Sequence, residues 1–428
     1  MWKLLKKTKP PQSEKNRILF IYPHNPRNKI YVEPLFEKLK GLNIFAVDVN
    51  RGSSILNINV LREKAKDDKI NHLLLEDYVS LRDCLKVRVK KYKMARLWRS
   101  VKKMDDFKKI ESQISLYFNI RARDHMRSIV AIDNIVESVK PRIAVTPVET
   151  SEFDKGLFLA CQKRGVPCIG IQHGLIKDLR CVHDKDEISL KKVSPDYCPI
   201  PTKTAVFGEN DKEFLIKHGN YPAESVVVTG NQRDDRMFNE KSRYNKESIC
   251  KKLALNPKRK IIVFATDPDI KKEKSINLIK TISNSINNNI QFLIKVHPGE
   301  SEEIYRKIVK NNNINAIITK HDVYEVLYIC DALLNVKSAI GLETTIMDTP
   351  IITLNFSGKV PDYIDYTEKG VGLEAKNREE LKKVINLVLY DEKTKQKLKE
   401  ARGSYVYEHC YKIDGKASER IANLINSI

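Results

Sequence analysis

The sequence predicts an α/β protein built from two doubly wound domains in tandem. Three observations lead to this prediction. The chain has 428 residues, which is too long for one ordinary hydrophobic core and suits two. Short apolar runs alternate with segments of helical spacing along most of the chain, as they do in parallel α/β sheets. The segment VSPDYCPIPTK (193–203) interrupts this alternation with three prolines, so we place the domain linker there.

In the first half, two apolar runs, RILFIYP (17–23) and NIFAVDV (43–49), enclose the helical segment VEPLFEKLKG. Residues 60–140 are expected to be mainly helical and charged. Further strands are expected at RIAVTPVE (142–149) and PCIGIQHG (167–174), with a helix between them that ends at a glycine. Together these strands would form the parallel sheet of the first domain.

The alternation of strands and helices resumes after the prolines. Strands are predicted at 204–210, 226–235, 260–268, 290–300, 315–320, 332–336 and 350–356. The domain prediction is a basic tail (1–16), an N-terminal Rossmann-like domain (17–195), a linker (196–203), a C-terminal Rossmann-like domain (204–395) and a C-terminal helical segment (396–428). Two such domains imply a cleft that they both face.

The composition predicts a soluble protein that is attracted to polyanions. No apolar run approaches the roughly 18–20 residues needed to cross a bilayer. The eight cysteines form no CxxC pair or zinc-like cluster, so reduced thiols in the cytosol are expected and no metal site is predicted. The net charge is +22, and the segment 82–109 contributes twelve Lys or Arg against three Asp. This segment has loosely helical apolar spacing, so it suits an anionic membrane surface or, alternatively, packs its apolar stripe on its own domain.

His173 lies at the C-terminal end of the predicted strand 167–174, within IGIQHGLIKD. Ligands of open parallel sheets bind outside the carboxyl ends of the strands, so this position makes His173 a catalytic candidate. Glu149 ends the neighbouring predicted strand, and Glu152 lies at the start of the next helix. Either carboxylate could orient His173 or act as the base itself. A polar residue that only closes the strand is the structural alternative for His173.

A second histidine has the same placement in the C-terminal half. In FLIKVHPG (292–299) a strand ends at Lys295 and His297, which share a face because they are two residues apart. A Pro-Gly turn then leads to a helix that Ser301 can cap, and helix N-termini favour anions. A phosphate site is therefore predicted here, with a histidine that satisfies a turn as the alternative.

A further group of candidates follows the predicted strand 332–336. Ser338 is a good N-cap, and Glu343 lies five residues beyond it rather than the three of a capping box, which favours a carboxylate that binds sugar hydroxyls. Weaker candidates end other strands, because turns favour the same residue types in proteins that bind nothing. The full donor-binding set predicted is Lys295, His297, Ser338, Glu343, Thr344, Gly230, Asn231 and Asp267.

These motifs, taken in order, resemble those of GT-B glycosyltransferases, in which two Rossmann-like domains face a cleft. The motifs are GIQHG, TGNQRDD, KVHPGE, the Ser338–Glu343 segment and DGKASERIANLI (414–425). Within that fold the chain resembles the CDP-glycerol glycerophosphotransferase family, with its related capsule polysaccharide transferases and sialyltransferases, which pair an HG with an HP histidine. It also resembles the non-hydrolysing UDP-N-acetylglucosamine 2-epimerases, which share the TGN, HP and DGKASERI elements. The likeness spans about residues 140–425.

The resemblance implies a role for each matching residue. His297 would contact the donor phosphates together with Ser338 and the N–H groups that follow it, and Glu343 would bind the ribose hydroxyls. His173 would meet the acceptor, as general base or as the group that positions it. The resemblance also implies that the final helix returns to the first domain and that neither a metal nor another cofactor is required.

Departures from the two families narrow the function. The epimerase pattern has an acidic residue in its HxEAG loop and a double glycine after its serine, where this chain has QHGLIKD and SAIGLE. The expected function is therefore inverting, metal-independent transfer of a sugar from a nucleotide donor to a hydroxyl of a surface glycan or lipid-linked acceptor. CDP-glycerol-type glycerophosphate transfer, nucleotide-sugar 2-epimerisation and non-catalytic membrane docking are the alternatives.

The expected location follows from the same charge pattern. We expect a cytoplasmic protein that lies on the inner face of the membrane through residues 82–109. No RNA-binding signature or zinc finger accompanies the positive charge, so no nucleic acid partner is expected.

Overall fold

The protein is described by a computed structural model that covers residues 16–22, 31–49, 62, 64, 66–67, 69–101, 111–149, 151–174, 176, 199–268, 270–336, 338, 340–356, 358 and 365–428. These residues form two compact units. Unit 1 runs to residue 207 and includes 211–232 and 418–428, and unit 2 comprises 208–210 and 233–417. No helix among the residues covered is both long enough and apolar enough to cross a membrane.

Unit 1 is built on a parallel sheet. Its strands are β1 (Arg17–Tyr22), β2 (Asn43–Asp48), β3 (Ile70–Leu74), β4 (Ile143–Thr146), β5 (Cys168–Ile171), β6 (Lys203–Val206) and β7 (Val226–Val228). Their order is β3-β2-β1-β4-β5-β6-β7, so the chain reverses its direction of winding between β1 and β4. That switch point is where parallel α/β sheets bind ligands at their carboxyl edge.

Unit 2 has a second parallel sheet with the strands β8 (Lys260–Ala265), β9 (Ile290–Lys295), β10 (Ile317–Thr319), β11 (Ala332–Asn335), β12 (Ile351–Leu354) and β13 (Gly372–Ala375). The order is β10-β9-β8-β11-β12-β13, with the switch point between β8 and β11. Both sheets thus follow the doubly wound pattern that the sequence predicts, and the α/β fold class is confirmed.

Helices cover both faces of each sheet. They are α1 (Glu33–Lys38), α2 (Leu81–Val101), α3 (Glu111–Ile120), α4 (Ala122–Val139), α5 (Glu152–Arg164), α6 (Glu209–Lys217), α7 (Gln232–Glu240), α8 (Lys246–Lys252), α9 (Lys272–Ser283), α10 (Glu302–Asn311), α11 (Val323–Ile329), α12 (Ile340–Ile346), α13 (Arg378–Tyr390), α14 (Glu392–Cys410) and α15 (Ala417–Ser427). In unit 1, α4 and α5 pack on one face of the sheet, and α1 and α15 pack on the other. In unit 2, α9 and α13 cover one face, and α8 and α11 cover the other. Because both faces are buried, the strands are nearly continuous apolar runs.

The boundary between the units differs from the prediction that residue 204 begins the second domain. β6 pairs with β5, and β7 pairs with β6, so both strands extend the first sheet. Sheet membership depends on which edge a strand can pair with, and a regular βα rhythm does not reveal that. Residues 177–198, which include the start of the predicted linker, lie outside the described residues, as do residues 1–15 of the predicted tail.

Three further differences concern single elements. β3 lies within the segment predicted to be mainly helical, and β13 was not predicted. The predicted C-terminal helical segment, 396–428, is divided between the units. Leu398 of α14 packs in the core of unit 2, whereas Ile421 and Ile425 of α15 are fully buried in the core of unit 1. The return to the first unit therefore begins only at Ser418.

Candidate functional site

The backbone around His173 is held in place at the carboxyl edge of the unit 1 sheet. The Gln172 Oε1 accepts a hydrogen bond of 2.8 Å from the N–H of Phe207, and its Nε2 donates one of 2.9 Å to the carbonyl of Gly174. The Tyr31 hydroxyl donates a 2.7 Å hydrogen bond to the carbonyl of His173. These hydrogen bonds fix the backbone position of His173, from which its imidazole extends.

The His173 side chain itself is exposed to solvent, immediately after β5. Its surroundings remove part of its hydration, which disfavours the imidazolium and lowers its pKa below the ordinary value. A neutral imidazole at neutral pH can accept a proton, so the position and the protonation state suit the predicted role. A residue that only closed the strand would not need either property.

Glu149 lies over the neighbouring strand, with its carboxyl group packed against Gly170 of β5. A Cβ at position 170 would overlap the Glu149 Oε1 and lie 2.8 Å from its carboxyl carbon, so only glycine leaves room for this side chain. Burial raises the pKa of Glu149 to about 7, although Lys155 and a hydrogen bond with Thr204 act in the opposite direction. A carboxyl group with this pKa exchanges a proton near neutral pH.

Glu152 is placed differently from Glu149. It begins α5, where its Oε1 lies 3.5 Å from the Nε2 of His125 on α4. Both groups line a separate pocket of unit 1, together with Arg121 and Arg127. The structure therefore gives Glu152 a histidine neighbour that the sequence analysis did not consider.

Gly230 and Asn231 follow β7, so they belong to unit 1 and not to the unit that carries the other predicted donor residues. Gly230 has a φ of 81°, which favours glycine, and Asn231 is buried. Arg420 of α15 donates a 2.6 Å hydrogen bond to the carbonyl of Thr229. The TGN motif thus meets, within unit 1, the part of the terminal DGKASERIANLI motif that begins at Ser418.

In unit 2, Lys295 ends β9 and is only 7% exposed. No carboxylate among the described residues lies within ion-pair distance of its ammonium group, although nearly buried lysines are normally paired. Burial lowers the pKa of Lys295, and the more distant charges of Asp322 and Glu343 act against that effect. A buried cation without a neighbouring anion is the property expected of a site for a negatively charged ligand.

His297, two residues beyond Lys295, has a defined tautomer. Its Nδ1 accepts a 3.2 Å hydrogen bond from the N–H of Gly299, so the neutral ring carries its proton on Nε2. Its own N–H donates to the Thr266 hydroxyl at 2.8 Å, and that hydroxyl donates to Glu300 at 2.6 Å. The end of β8 therefore fixes the turn after β9 and with it the position of the His297 ring.

Glu343 pairs with an arginine that the sequence analysis missed. Its Oε1 lies 2.6 Å from the Nη2 of Arg233, at the start of α7. The adjacent Asp234 is fully buried, and burial together with the charge of Glu343 raises its pKa well above the ordinary value. Arg233 lies in the motif TGNQRDD, from which the sequence predicts only Gly230 and Asn231 as donor-binding residues.

The remaining predicted donor residues are Ser338, Thr344 and Asp267. Asn335 holds Ser338 through two hydrogen bonds of 2.8 Å, one in each direction between side chain and backbone. The Thr344 side chain is fully buried and its hydroxyl donates to the carbonyl of Ile340 at 2.7 Å, and its role in donor binding stays a prediction. Asp267 follows β8 and is 8% exposed.

Gly341, in the first turn of α12, has a packing role. A Cβ there would lie 2.5 Å from the Tyr366 ring, so the absence of a side chain admits this ring and not a ligand. The N-cap residue Ser301 makes no side-chain capping bond to α10. Within the described part of the chain, no group of three or more His, Cys, Asp or Glu side chains is arranged to hold a metal ion.

Several solved structures are similar to this chain in fold. A co-structure of MnaA from S. aureus with UDP has a TM-score of 0.58 and 18% identity, and 96% of each chain is covered. UDP-GlcNAc 2-epimerase from Neisseria meningitidis, bound to UDP-GlcNAc, has a TM-score of 0.61 and 13% identity over 96% of this chain and 100% of that chain. A variant of the wall teichoic acid polymerase TagF has a TM-score of 0.55 and 15% identity over 97% and 89%. These identities are low, so the likeness shows the fold, which is the GT-B fold that the sequence resemblance implies.

The two doubly wound units and the similar solved structures define the GT-B fold class. The sequence model of the family described as CDP-Glycerol:Poly(glycerophosphate) glycerophosphotransferase matches residues 163–427, which is more than half of the chain. The chain therefore belongs to this family and is a nucleotide-dependent transferase. No curated protein sequence matches it.

Proposed function

We propose that this protein transfers a polyol phosphate unit, of the glycerol phosphate type, from a CDP-linked donor to a hydroxyl group of a surface polymer or lipid-linked acceptor. The observation that carries the proposal is the pair of Lys295 and His297 at the end of β9, a nearly buried cation without a carboxylate partner beside an N–H donor. A diphosphate supplies the negative charge that this pair lacks. Family membership favours this alternative over the sugar transfer first expected, and TagF, which has been solved after a CDPG soak, is a structural neighbour.

The proposed reaction is a single displacement at phosphorus. The acceptor oxygen forms a bond to the phosphorus atom next to the polyol, and the bond from that phosphorus to the bridging oxygen breaks. CMP leaves with the negative charge on its phosphate, and the proton of the acceptor hydroxyl goes to a base. Lys295 and His297 would stabilise the leaving phosphate in this scheme.

His173 and Glu149 are the two candidates for the base. The lowered pKa of His173 keeps its imidazole neutral, and burial raises the pKa of Glu149 to about 7. A general base is most effective when its pKa lies near the working pH, and the pKa of Glu149 meets that condition, whereas His173 contributes a ring that is free to accept a proton. Exposure of the ring favours His173 as the group that meets an acceptor, with Glu149 as a second proton acceptor.

Product analysis tests the reaction. Incubation with CDP-glycerol and a hydroxyl-bearing acceptor should release CMP, because the displaced bond lies between the two phosphorus atoms. Release of CDP or UDP from a nucleotide sugar would instead establish sugar transfer and overturn the proposal. Conversion of a nucleotide sugar without any acceptor would indicate epimerisation.

We include metal independence in the proposal because Lys295 supplies positive charge that a metal would otherwise bring. Turnover should be unchanged in EDTA. Loss of turnover that Mg²⁺ restores would contradict this part.

We also propose that α2 docks on an anionic membrane. Four apolar residues three or four positions apart are exposed on this helix, Leu81 (87%), Leu85 (62%), Val89 (54%) and Tyr92 (63%). The predicted alternative, in which this stripe packs on its own domain, does not account for that exposure. Lys and Arg residues interleave with the stripe, as in interfacial helices. Residues 102–110, the end of the predicted basic segment, lie outside the described residues.

A further inference from the structure

The pocket of unit 1 that Glu152 and His125 line has no role in the reaction described above. It has a volume of about 340 Å³ and lies beside the residues that follow β3 and those that begin α5. Leu75, Ala131 and Phe153 form its apolar floor. Its position is the carboxyl edge of the unit 1 sheet, where ligands of parallel α/β folds bind. Its size is at the lower end of small-molecule sites.

The polar lining combines hydrogen-bond donors and acceptors. Arg121, His125 and Arg127 come from the start of α4, and Glu152 contributes a carboxylate that lies 3.5 Å from the His125 Nε2. Two exposed carboxylates, Glu76 and Asp124, complete it, and Asp124 lies 3.5 Å from Arg123 outside the pocket. The charges nearly balance, so the lining does not resemble a simple anion site.

Arg121 and Arg127 differ from the other charged groups in this lining. Neither guanidinium forms an ion pair with a carboxylate of the described residues. The Nε of Arg127 is buried and finds no hydrogen-bond acceptor among those same residues. Buried donors normally have a hydrogen-bond acceptor in folded proteins, so we expect a ligand to supply the acceptor for this arginine.

The Tyr117 ring packs against His125, one of the residues that line the pocket. It packs edge-to-face on His125 with ring centroids 5.4 Å apart, which joins α3 to the start of α4. On α3 itself, Leu116 and Ile120 are each 58% exposed, and Arg121 follows directly. The pocket therefore opens beside an apolar part of the surface of unit 1.

We propose that this pocket binds a polyol phosphate or sugar phosphate unit of the acceptor, with Arg121 and Arg127 on the phosphate and the carboxylates on the hydroxyls. Guanidinium groups form paired hydrogen bonds with phosphate, and a carboxylate accepts from neighbouring hydroxyls. A ligand with a phosphate and hydroxyl groups can bind both the arginines and the carboxylates of the lining, whereas a simple anion would be repelled by the three carboxylates. The inference rests on the proposed function, because it assigns part of the acceptor to a pocket apart from His173.

Binding of glycerol 3-phosphate without any donor tests the pocket independently of turnover. Titration by calorimetry should show binding that is weaker by about 10-fold or more in Arg127→Gln and in Arg121→Gln, since charged hydrogen bonds to phosphate are lost. Arg123→Gln is the matched control, because Arg123 lies on the same helix but points to Asp124. It should bind like the unmodified protein. Thermal unfolding of each variant checks that α4 is intact.

Inorganic phosphate and glycerol, titrated separately, identify the ligand class. Each should bind at least about 10-fold more weakly than glycerol 3-phosphate, because each satisfies only half of the lining. Equal binding of inorganic phosphate, or an unchanged affinity in both arginine variants, would overturn the assignment. In turnover assays, the arginine variants should raise the KM for the acceptor and leave the KM for the donor unchanged. If no turnover is found at all, the proposed function fails while the calorimetric result still judges the pocket.

Discussion

Lys295 is the side chain whose replacement tests the donor site most directly. Lys295→Met removes the charge and retains an unbranched chain, so donor binding should weaken by about 10- to 100-fold, the value of a lost charged hydrogen bond. Without donor, the same variant should be more stable by roughly 1 kcal/mol or more, because a desolvated charge has been removed. Calorimetry of donor binding and urea unfolding measure the two effects.

The opposite signs of these effects distinguish a binding residue from a structural one. Lys307 is a suitable control, since it lies in the same unit, is 71% exposed and pairs with Glu303 at 3.2 Å. Lys307→Met should change neither donor affinity nor stability by much. If Lys295→Met destabilised the protein and left donor binding intact, the lysine would be structural and the donor site would lie elsewhere.

Glu149 should make the stability of the protein depend on pH between about 4.5 and 7. Its pKa is about 7 in the folded state and near 4.3 when unfolded, so in this interval the folded state holds a proton that the unfolded state has lost. Stability contributed by this group is therefore complete below the unfolded pKa and is lost as the pH rises through the folded one. The loss amounts to roughly 3 kcal/mol.

The variant Glu149→Gln removes this titration. Unfolding in urea at pH 5 and pH 8 should show a smaller fall in stability for the variant than for the unmodified protein. Glu137→Gln, a change at a glutamate that is 70% exposed, should leave the fall unchanged. An equal pH dependence in all three proteins would mean that Glu149 is already ionised at low pH, and its candidacy as a base near neutral pH would end.

Single residues also show how much of the site the sequence could reveal. Lys295 and His297 were found because two side chains at the end of an apolar strand form a visible local pattern. The hydroxyl that fixes the turn at His297 comes from another element, Thr266, and so does the arginine that pairs with Glu343, Arg233. Gly170 belongs to the GIQHG motif, yet the space it leaves is filled by Glu149, which follows β4. Contacts between distant segments are not encoded in local spacing.

The contact between β4 and β5 provides a test that joins two elements. Gly170→Ala should destabilise the protein by about 1–3 kcal/mol, because the new methyl group overlaps the Glu149 carboxyl group. In a Glu149→Ala background, the same change should cost much less. A double-mutant cycle of urea unfolding measures the coupling. Additive effects of the two changes would show that Gly170 serves the backbone alone.

The strands illustrate which features of an element are predictable. Apolar runs located most of them to within a few residues, because burial on both faces requires continuous apolar sequence. The short strand β3 was missed inside a charged and mostly helical segment, although INHLL is itself apolar over its last residues. The sheet that β6 and β7 join was also missed, since the pairing of β5 with β6 is a long-range event. Whether a segment forms a strand depends mainly on its local sequence, whereas the strand it pairs with depends on contacts that are distant in the chain.

For the protein as a whole, the charge of +22 and the exposed stripe on α2 lead to one physical expectation. Positive charge concentrates a protein at an anionic surface, and each Lys or Arg near the lipid headgroups contributes about 1 kcal/mol. Apolar side chains that enter the interface add a contribution that salt does not screen. Attraction to nucleic acid would instead depend on charge alone and fall steeply with ionic strength. Binding measured at low and at high salt therefore distinguishes an anionic membrane from nucleic acid as the partner.

Replacing Leu85 and Val89 of α2 by glutamate should weaken binding to vesicles of phosphatidylglycerol and phosphatidylcholine by about 10-fold or more, because apolar burial is lost and negative charge is added. Leu387→Glu on α13 of unit 2, where the leucine is 42% exposed, is the control and should have little effect. Sedimentation with the vesicles measures the binding, and vesicles of phosphatidylcholine alone should bind less. Part of the binding to anionic vesicles should survive high salt, since the stripe remains apolar. Loss of all binding in high salt, together with an unchanged affinity in the glutamate variant, would mean that charge alone holds the protein and that α2 does not enter the interface.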